Sequence, residues 1–573
     1  MSGIRQKVLK GFKLRGLGPD KEAIRLLCEH LETCSDSDKE LNRCVECIRS
    51  SPSLIKTRVT AELVEEAISS QAGEADADVQ EFVMILDHKN VPISIYDPVR
   101  KVFERKQGDS RALVGGQPMT RIQAFRERFD IIEQRIARNR HFAKTAFGDT
   151  AMIELTRISG VRRSKERVFV LGMLTQPVEG KFFLEDMSHS IPIDLSDASA
   201  KHGLFAENCI VVVAGEMDRD VFKVHTLALP PVESRRDTCE MFPPLAVPTF
   251  RKPYSADEKR VLAEEEMKED HTQIVVLSDV WLDRAKVING LRMMFFRYDA
   301  LCKDGVETGT EYRFLFVLMG NFCSQPYTRG TATHRALFDE LGALIASFAS
   351  LAECATWIFV PGPNDVLGGN SQMLPRSPLP SQVSAGFLEK VPSASFCSDP
   401  CRIKFYSQEL VFHRDDICSK LGKHSRRPGK DDVPLWDHVA RTILSEAHLA
   451  PLPLAAAPID WAYDHALRLY PIPDLLVLGD RVSRYDTQVA DSQVANPGCF
   501  SADFTFYTYS PAADPQARLE PCALDFEELP SQVQDDGKAE RDRLKEARRK
   551  KKAKREKRRS QRMEEEGAEA EEG

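Results

Sequence analysis

Three apolar runs, each broken by a tight polar turn, constrain this chain more than any other feature. They are IVVLSDVWLD (274–283), FVLMGNFCSQPY (316–327) and FVPGPNDV (359–366). Short apolar runs bounded by turn residues read as buried strands. Between the second and third lies THRALFDELGALIASFASL, with Leu337, Phe338, Leu341, Leu344, Ile345 and Phe348 at helical spacing. Strands alternating with helices predict a layered α/β domain. The polar turns at the strand ends are where its chemistry would sit.

Those turns resemble the signatures of the calcineurin-like phosphoesterases: D-x-H, G-D-x-x-D, G-N-H-D/E, a lone H, and G-H-x-H. In that family the side chains ring two cations about 3.5–4 Å apart, which activate water and neutralise phosphate. Hard cations require anionic oxygens and imidazoles there. Here Asp279 keeps the first position, but Trp281 replaces the first histidine, and an indole has no lone pair for a metal. Gly320 is kept, whereas Asn321 replaces the bridging aspartate and Ser324 the second one. Gly362 and Asp365 remain, with Pro363 and Asn364 in the asparagine and histidine places. His448 is assigned to the lone-histidine position. Gly479 matches the last signature, with Asp480 and Val482 in its histidine slots. The resemblance therefore implies a scaffold that has lost its metals, with no catalytic, metal or cofactor residues. Asp279, Asn321 and Asp365 are expected to cap turns and helices instead.

A second resemblance covers roughly residues 5–510. FKLRGL (12–17), FRERFDIIEQR (125–135), VLGMLTQPVEGKFFLED (170–186), GNFCSQPY (320–327), DPCRI (399–403), HLAPLP (448–453) and WAYDHALRLYPIPDLLVL (461–478) are similar to the B (second) subunits of eukaryotic replicative DNA polymerases, those of polymerase epsilon above all. This resemblance implies a non-catalytic accessory subunit working in the nucleus. Its partners would be the catalytic subunit of polymerase epsilon, through that subunit's zinc-containing C-terminal module, the other small polymerase subunits, and the GINS component of the replicative helicase. Any zinc would belong to the partner.

The 573 residues allow several domains, and a 42 % hydrophobic share supports real cores. No apolar run approaches the length of a membrane span, and MSGIRQKVLKGF carries no secretory h-region. Fourteen scattered cysteines suit free thiols in a reducing compartment. Cys44 and Cys47 form a CxxC without a second pair at zinc-like spacing, and read as buried helix positions. Net charge is −8, but residues 538–573 hold 15 Lys/Arg against 10 Asp/Glu, which leaves the body near −13. An acidic body is a poor general DNA clamp.

The fold class expected is therefore multidomain α+β. Residues 1–72 read as an N-terminal helical bundle, with Val8 and Phe12, then Ile24, Leu27, Cys28 and Leu31, then Leu41 and Val45, then Leu63 and Val64 on apolar stripes. The family resemblance likens this bundle to the lid domain of AAA+ ATPases. Residues 73–150 form a connector, with a strand pair turning at His88-Lys89-Asn90 and an amphipathic helix bearing Phe125, Phe129, Ile132 and Ile136. That helix's arginines read as a salt-bridged or solvated face in preference to a nucleic-acid contact. Five strand-like runs over 151–235 predict an OB-fold barrel, with Glu179-Gly180 as the first hairpin turn. Residues 236–269 are a linker, 270–529 the inactive phosphoesterase domain, and 530–573 a charged low-complexity tail. The basic block within 538–562 suits nuclear import or DNA contact. The rival functions are a metal-dependent phosphoesterase or nuclease, and a single-strand-binding barrel through Phe182, Phe183 and Phe222.

Overall fold

The computed structural model describes residues 83–106, 118–142, 153–162, 166–200, 202–246, 254, 256–326, 331–366, 373–426 and 433–525, with 7–8, 12, 18–33, 41, 45, 58–60 and 63–64 nearer the N-terminus. The chain divides into two compact units, Met1–Met84 and Ile85–Gly573. The tail from 526 onward and the CxxC pair lie outside the described residues.

In the first unit, Asp20 starts the helix Lys21–Thr33 by accepting the Ala23 N–H at 2.8 Å. Short oxygen-bearing side chains satisfy the orphan amides of a helix start. The helix contributes Ala23, Leu27 and Leu31 to a core with Val8, Phe12, Leu41, Val45, Val59, Leu63 and Val64.

In the second unit the barrel strands are Val168–Val178, Lys181–Glu185, Ser190–Asp194, Ile210–Asp218 and Val221–Ala228. The fourth pairs antiparallel with the first and fifth, and the fifth pairs parallel with the third, so the sheet closes. Closure removes free strand edges. Gly180 takes a φ of +78° in the first hairpin turn, a conformation a glycine adopts without strain. Phe222 is fully buried in the barrel core and Phe182 packs against it, so the aromatics are largely spent on packing.

The helix Pro118–Arg138 lays Phe129, Ile132 and Ile136 on barrel residues Leu171, Ile210 and Val212. Its arginines are mostly paired or buried. Arg138 bridges to Glu233, and Arg135 donates to the Ser445 carbonyl. The expected turn at His88-Lys89-Asn90 is not a hairpin. The hairpin joins Ile93–Asp97 to Val102–Lys106, because Asp97 Oδ1 accepts the Val99 and Arg100 N–H groups and fixes the turn there.

The α/β region carries two six-stranded sheets. In the first, Ala394–Phe396, Ala355–Val360, Arg313–Met319 and Thr272–Leu277 run parallel in that order. Thr505–Tyr509 then adds antiparallel to Thr272–Leu277, and Leu519–Ala523 to it. Helices Ala285–Thr308 and Thr331–Ala346 cover one face through Phe295, Phe338, Leu341 and Ile345, and Phe316 stacks on Trp357 at 4.5 Å. The second sheet has the order Tyr485–Val489, Ser492–Asn496, Leu475–Gly479, Gln408–Arg414, Cys401–Phe405, with one further strand beyond. Leu410–Arg414 runs parallel to Leu475–Gly479, so Arg414 and Gly479 end together. Val411, Leu476 and Leu478 share a core with the barrel.

Candidate functional site

The first sheet delivers three turns to one place. Asp279 follows Thr272–Leu277 with φ +54°, which an aspartate tolerates better than most residues. Gly320 ends Arg313–Met319, and a side chain there would strike the Asp365 carboxylate and the Gly362 nitrogen. A side chain on Gly362 would lie 2.6 Å from Asn321 Oδ1. Both glycines are thus needed for the turns to approach one another.

Within that contact every oxygen has an N–H. Phe322 N and Gly362 N donate to the two oxygens of Asp365 at 2.8 Å each. Asn364 N donates to Asn321 Oδ1 at 2.8 Å, and Asn321 Nδ2 to Asp279 Oδ1 at 3.3 Å. Burial pushes the Asp365 carboxyl up to about 7, against the pull of its backbone donors. Asp365 and Asn321 therefore cap turns.

Asp279 does something else. Arg414 Nη2 sits 2.9 Å from both of its oxygens, and neither side chain has any solvent exposure. The same guanidinium donates from Nε to the Gly320 carbonyl at 2.8 Å and from Nη1 to Asp416 Oδ1 at 2.9 Å and the Gly479 carbonyl at 3.3 Å. Burial works against the arginine's charge, but Asp279 and then Asp416 outweigh it and hold the guanidinium firmly protonated. Arg481 stands at the rim, half exposed, 3.8 Å from Asp279.

The remaining positions divide. Ser324 only closes a turn, donating from Oγ to Asp283 at 2.6 Å. Trp281 packs on the aromatic core, with its Nε1 buried and unbonded. Val482 packs against the barrel core. Asp480 accepts the Cys418 N–H at 2.8 Å and so caps the helix Ile417–His424, and burial raises its carboxyl. Asp480→Ala should lower stability by about 0.5–2 kcal/mol, the usual worth of such a cap, as read by thermal unfolding.

His448 is a correction. Its Nε2 lies 3.2 Å from Asp464, its Nδ1 accepts the Ala450 N–H, and burial holds its pKa down near 4. None of its polar partners belongs to the Asp279 set. It instead joins Arg468, Asp464 and Glu127 in a buried chain that ties the helix Pro118–Arg138 to the α/β region. The buried basic residue on Asp279 is Arg414, which matches none of the five phosphoesterase signatures. A signal for it is present all the same: in ELVFHRDD the apolar strand runs straight into four charged or titratable residues.

The donor set does not fit a metal pair. Among the described residues, no three His, Cys, Asp or Glu side chains gather around a common centre.

Two family models match: the B subunits of DNA polymerases alpha and epsilon over residues 274–487, and the "DNA polymerase epsilon subunit 2-like, OB-fold domain" over 118–231. DNA polymerase epsilon subunit 2 of Homo sapiens is 32 % identical over 527 residues, spanning 89 % of this chain and 97 % of that protein. The chain belongs to the family of DNA polymerase epsilon B subunits. The Arabidopsis thaliana member is 34 % identical over 532 residues, with the same two coverages. The Saccharomyces cerevisiae member is 26 % identical over 492 residues, spanning 71 % of this chain and 70 % of its own length. Membership of the family makes this chain an accessory component of DNA replication. It also gives the closed barrel its assignment as the family's OB-fold domain. No described helix is long and apolar enough to cross a membrane.

Proposed function

We propose that the chain is a non-catalytic subunit of the nuclear polymerase epsilon holoenzyme, built on an inactive phosphoesterase domain. In this reading the barrel and α/β region dock the zinc-containing C-terminal module of the catalytic subunit. The N-terminal helical unit links that assembly to the replicative helicase through GINS. The observation that carries the non-catalytic part is Arg414 on both oxygens of Asp279. Three N–H donations already fall on this carboxylate, two from Arg414 and one from Asn321, and the buried guanidinium beside it would repel a metal cation.

The docking part is supported by a groove of about 880 Å³ between the helix Pro118–Arg138 and the barrel, floored by Phe125, Phe129 and Trp461. Of its lining residues, Ile122 is 46 % exposed and Met187 43 %. Large apolar side chains exposed together mark interaction surfaces. Ile122→Asp should weaken capture of the purified catalytic-subunit module by roughly tenfold or more, the effect of losing a central apolar contact. Titration by biolayer interferometry gives the value, and an unchanged affinity removes this groove from the dock. A wild-type chain that stays alone at micromolar concentration overturns the docking reading itself. The rival hydrolase reading requires manganese-dependent turnover of bis-p-nitrophenyl phosphate or single-stranded DNA that vanishes in Asp279→Ala. The expected result is no turnover in either protein.

A further inference from the structure

The three turns gather oxygen acceptors as a cation site does, yet the charge among them is supplied by the chain. A guanidinium has five N–H donors in a rigid plane. Arg414 meets five acceptors there: Asp279 Oδ1, Asp279 Oδ2, Gly320 O, Asp416 Oδ1 and Gly479 O. Two of these residues, Asp279 and Gly320, stand at strand ends of the first sheet. Arg414, Asp416 and Gly479 belong to strand ends of the second.

We infer that this cradle is a guanidinium site, occupied in cis by Arg414, which neutralises Asp279 and ties the two sheets together as a bound metal pair would. The backbone behind it is built to hold that position. Asp399 Oδ1 accepts the Arg414 N–H at 3.0 Å and lies 2.7 Å from His413 Nδ1, while Arg376 Nη1 donates to the Arg414 carbonyl at 2.9 Å. The oxygens a metal would need are already committed, Asp365 to two backbone amides and Asn321 to another. A lysine could not replace Arg414, because three donors on a compact ammonium cannot span both sheets. The cradle needs none of the docking partners proposed above.

The test uses the full chain and thermal unfolding. Arg414→Ala leaves buried Asp279 with only the half-exposed Arg481, 3.8 Å away at the rim, as counter-charge, and its melting temperature should fall by on the order of 5 °C or more. Arg414→Lys should fall nearly as far. Millimolar methylguanidinium chloride should then raise the Arg414→Ala midpoint while leaving wild type unchanged, and equal chloride as NaCl or MnCl2 should not. Manganese outperforming methylguanidinium would overturn the inference in favour of a latent metal site, and an unaltered midpoint in Arg414→Ala would overturn the tie. If Arg414→Ala does not accumulate folded, the Asp279→Asn/Arg414→Ala chain decides. Neutralising the stranded carboxylate should restore folded protein, and a double variant no better than the single one overturns the inference.

Discussion

Arg376→Met is expected to cost the full chain about 3 kcal/mol or more, the effect of stranding buried acids. Arg376 is fully buried and pairs with Asp399, with Asp415 at 3.2 Å, and with the Arg414 carbonyl. Methionine fills similar volume but donates nothing. Asp399 would keep His413 and the Arg414 N–H, and Asp415 would keep Lys420 at 2.7 Å. Burial opposes the Asp415 charge, but Arg376 first and Lys420 second hold its carboxyl far below the usual range. Partial compensation by Lys420 places the loss at the low end of about 3–5 kcal/mol for breaking a buried pair. Arg376→Lys should recover only part, since one ammonium cannot bridge two acids and a carbonyl. Urea unfolding measures both. A loss below about 1 kcal/mol, the worth of an exposed pair, would show that this arginine is not what pins its loop.

Arg376 also marks a boundary of what a sequence discloses. It lies in SQMLPRSPLP, a proline-punctuated segment that reads as a loop, and the described residues 373–380 hold no helix or ladder strand. Nothing in that pattern says that its arginine is drawn inside to meet Asp399, 23 residues on. Local periodicity reports which residues face a core, because that depends on spacing along one element. Hence Leu341, Ile345 and Phe338 were legible on their helix, as were the five barrel strands. Pairing between distant charged residues depends on where two elements end in space, and spacing carries no record of that. For this reason His448 falls outside the site and Arg414 within it. The phosphoesterase signature places a histidine at the site, while the chain closes it with a different cation from the end of Gln408–Arg414. The metal-position losses at Trp281, Asn321 and Ser324 were readable as single residues. The compensation for them was readable only in three dimensions.

Glu446→Gln should flatten the fall in stability on going from pH 5.5 to pH 8.5. Glu446 is buried where the helix Leu435–Ser445 meets the barrel, and its Oε2 accepts the Ile210 N–H at 2.8 Å. Burial pushes its carboxyl up to about 8, although that N–H, Arg128 and Arg135 all favour the charge. Another titratable group facing it is Cys209 from the barrel, whose thiol is driven up by burial first and by Glu446 second. In the unfolded chain the same carboxyl titrates near the ordinary value of about 4.3. Between these two values the folded protein binds the extra proton, so stability declines as pH rises. One fully linked proton gives a slope of about 1.4 kcal/mol per pH unit, and held from pH 5.5 to near 8 this sums to about 3 kcal/mol. Glutamine can still accept the Ile210 N–H from its carbonyl oxygen, but it has no proton to lose. Burial, the larger cause of the Cys209 shift, is shared by wild type and variant, so most of that titration cancels in the difference between their urea midpoints. The difference should therefore grow in the variant's favour toward pH 8.5. Parallel curves would mean that Glu446 is already ionised in the folded chain, with Arg128 and Arg135 outweighing its burial. The seam between barrel and α/β region would then be held by charge rather than by a neutral acid.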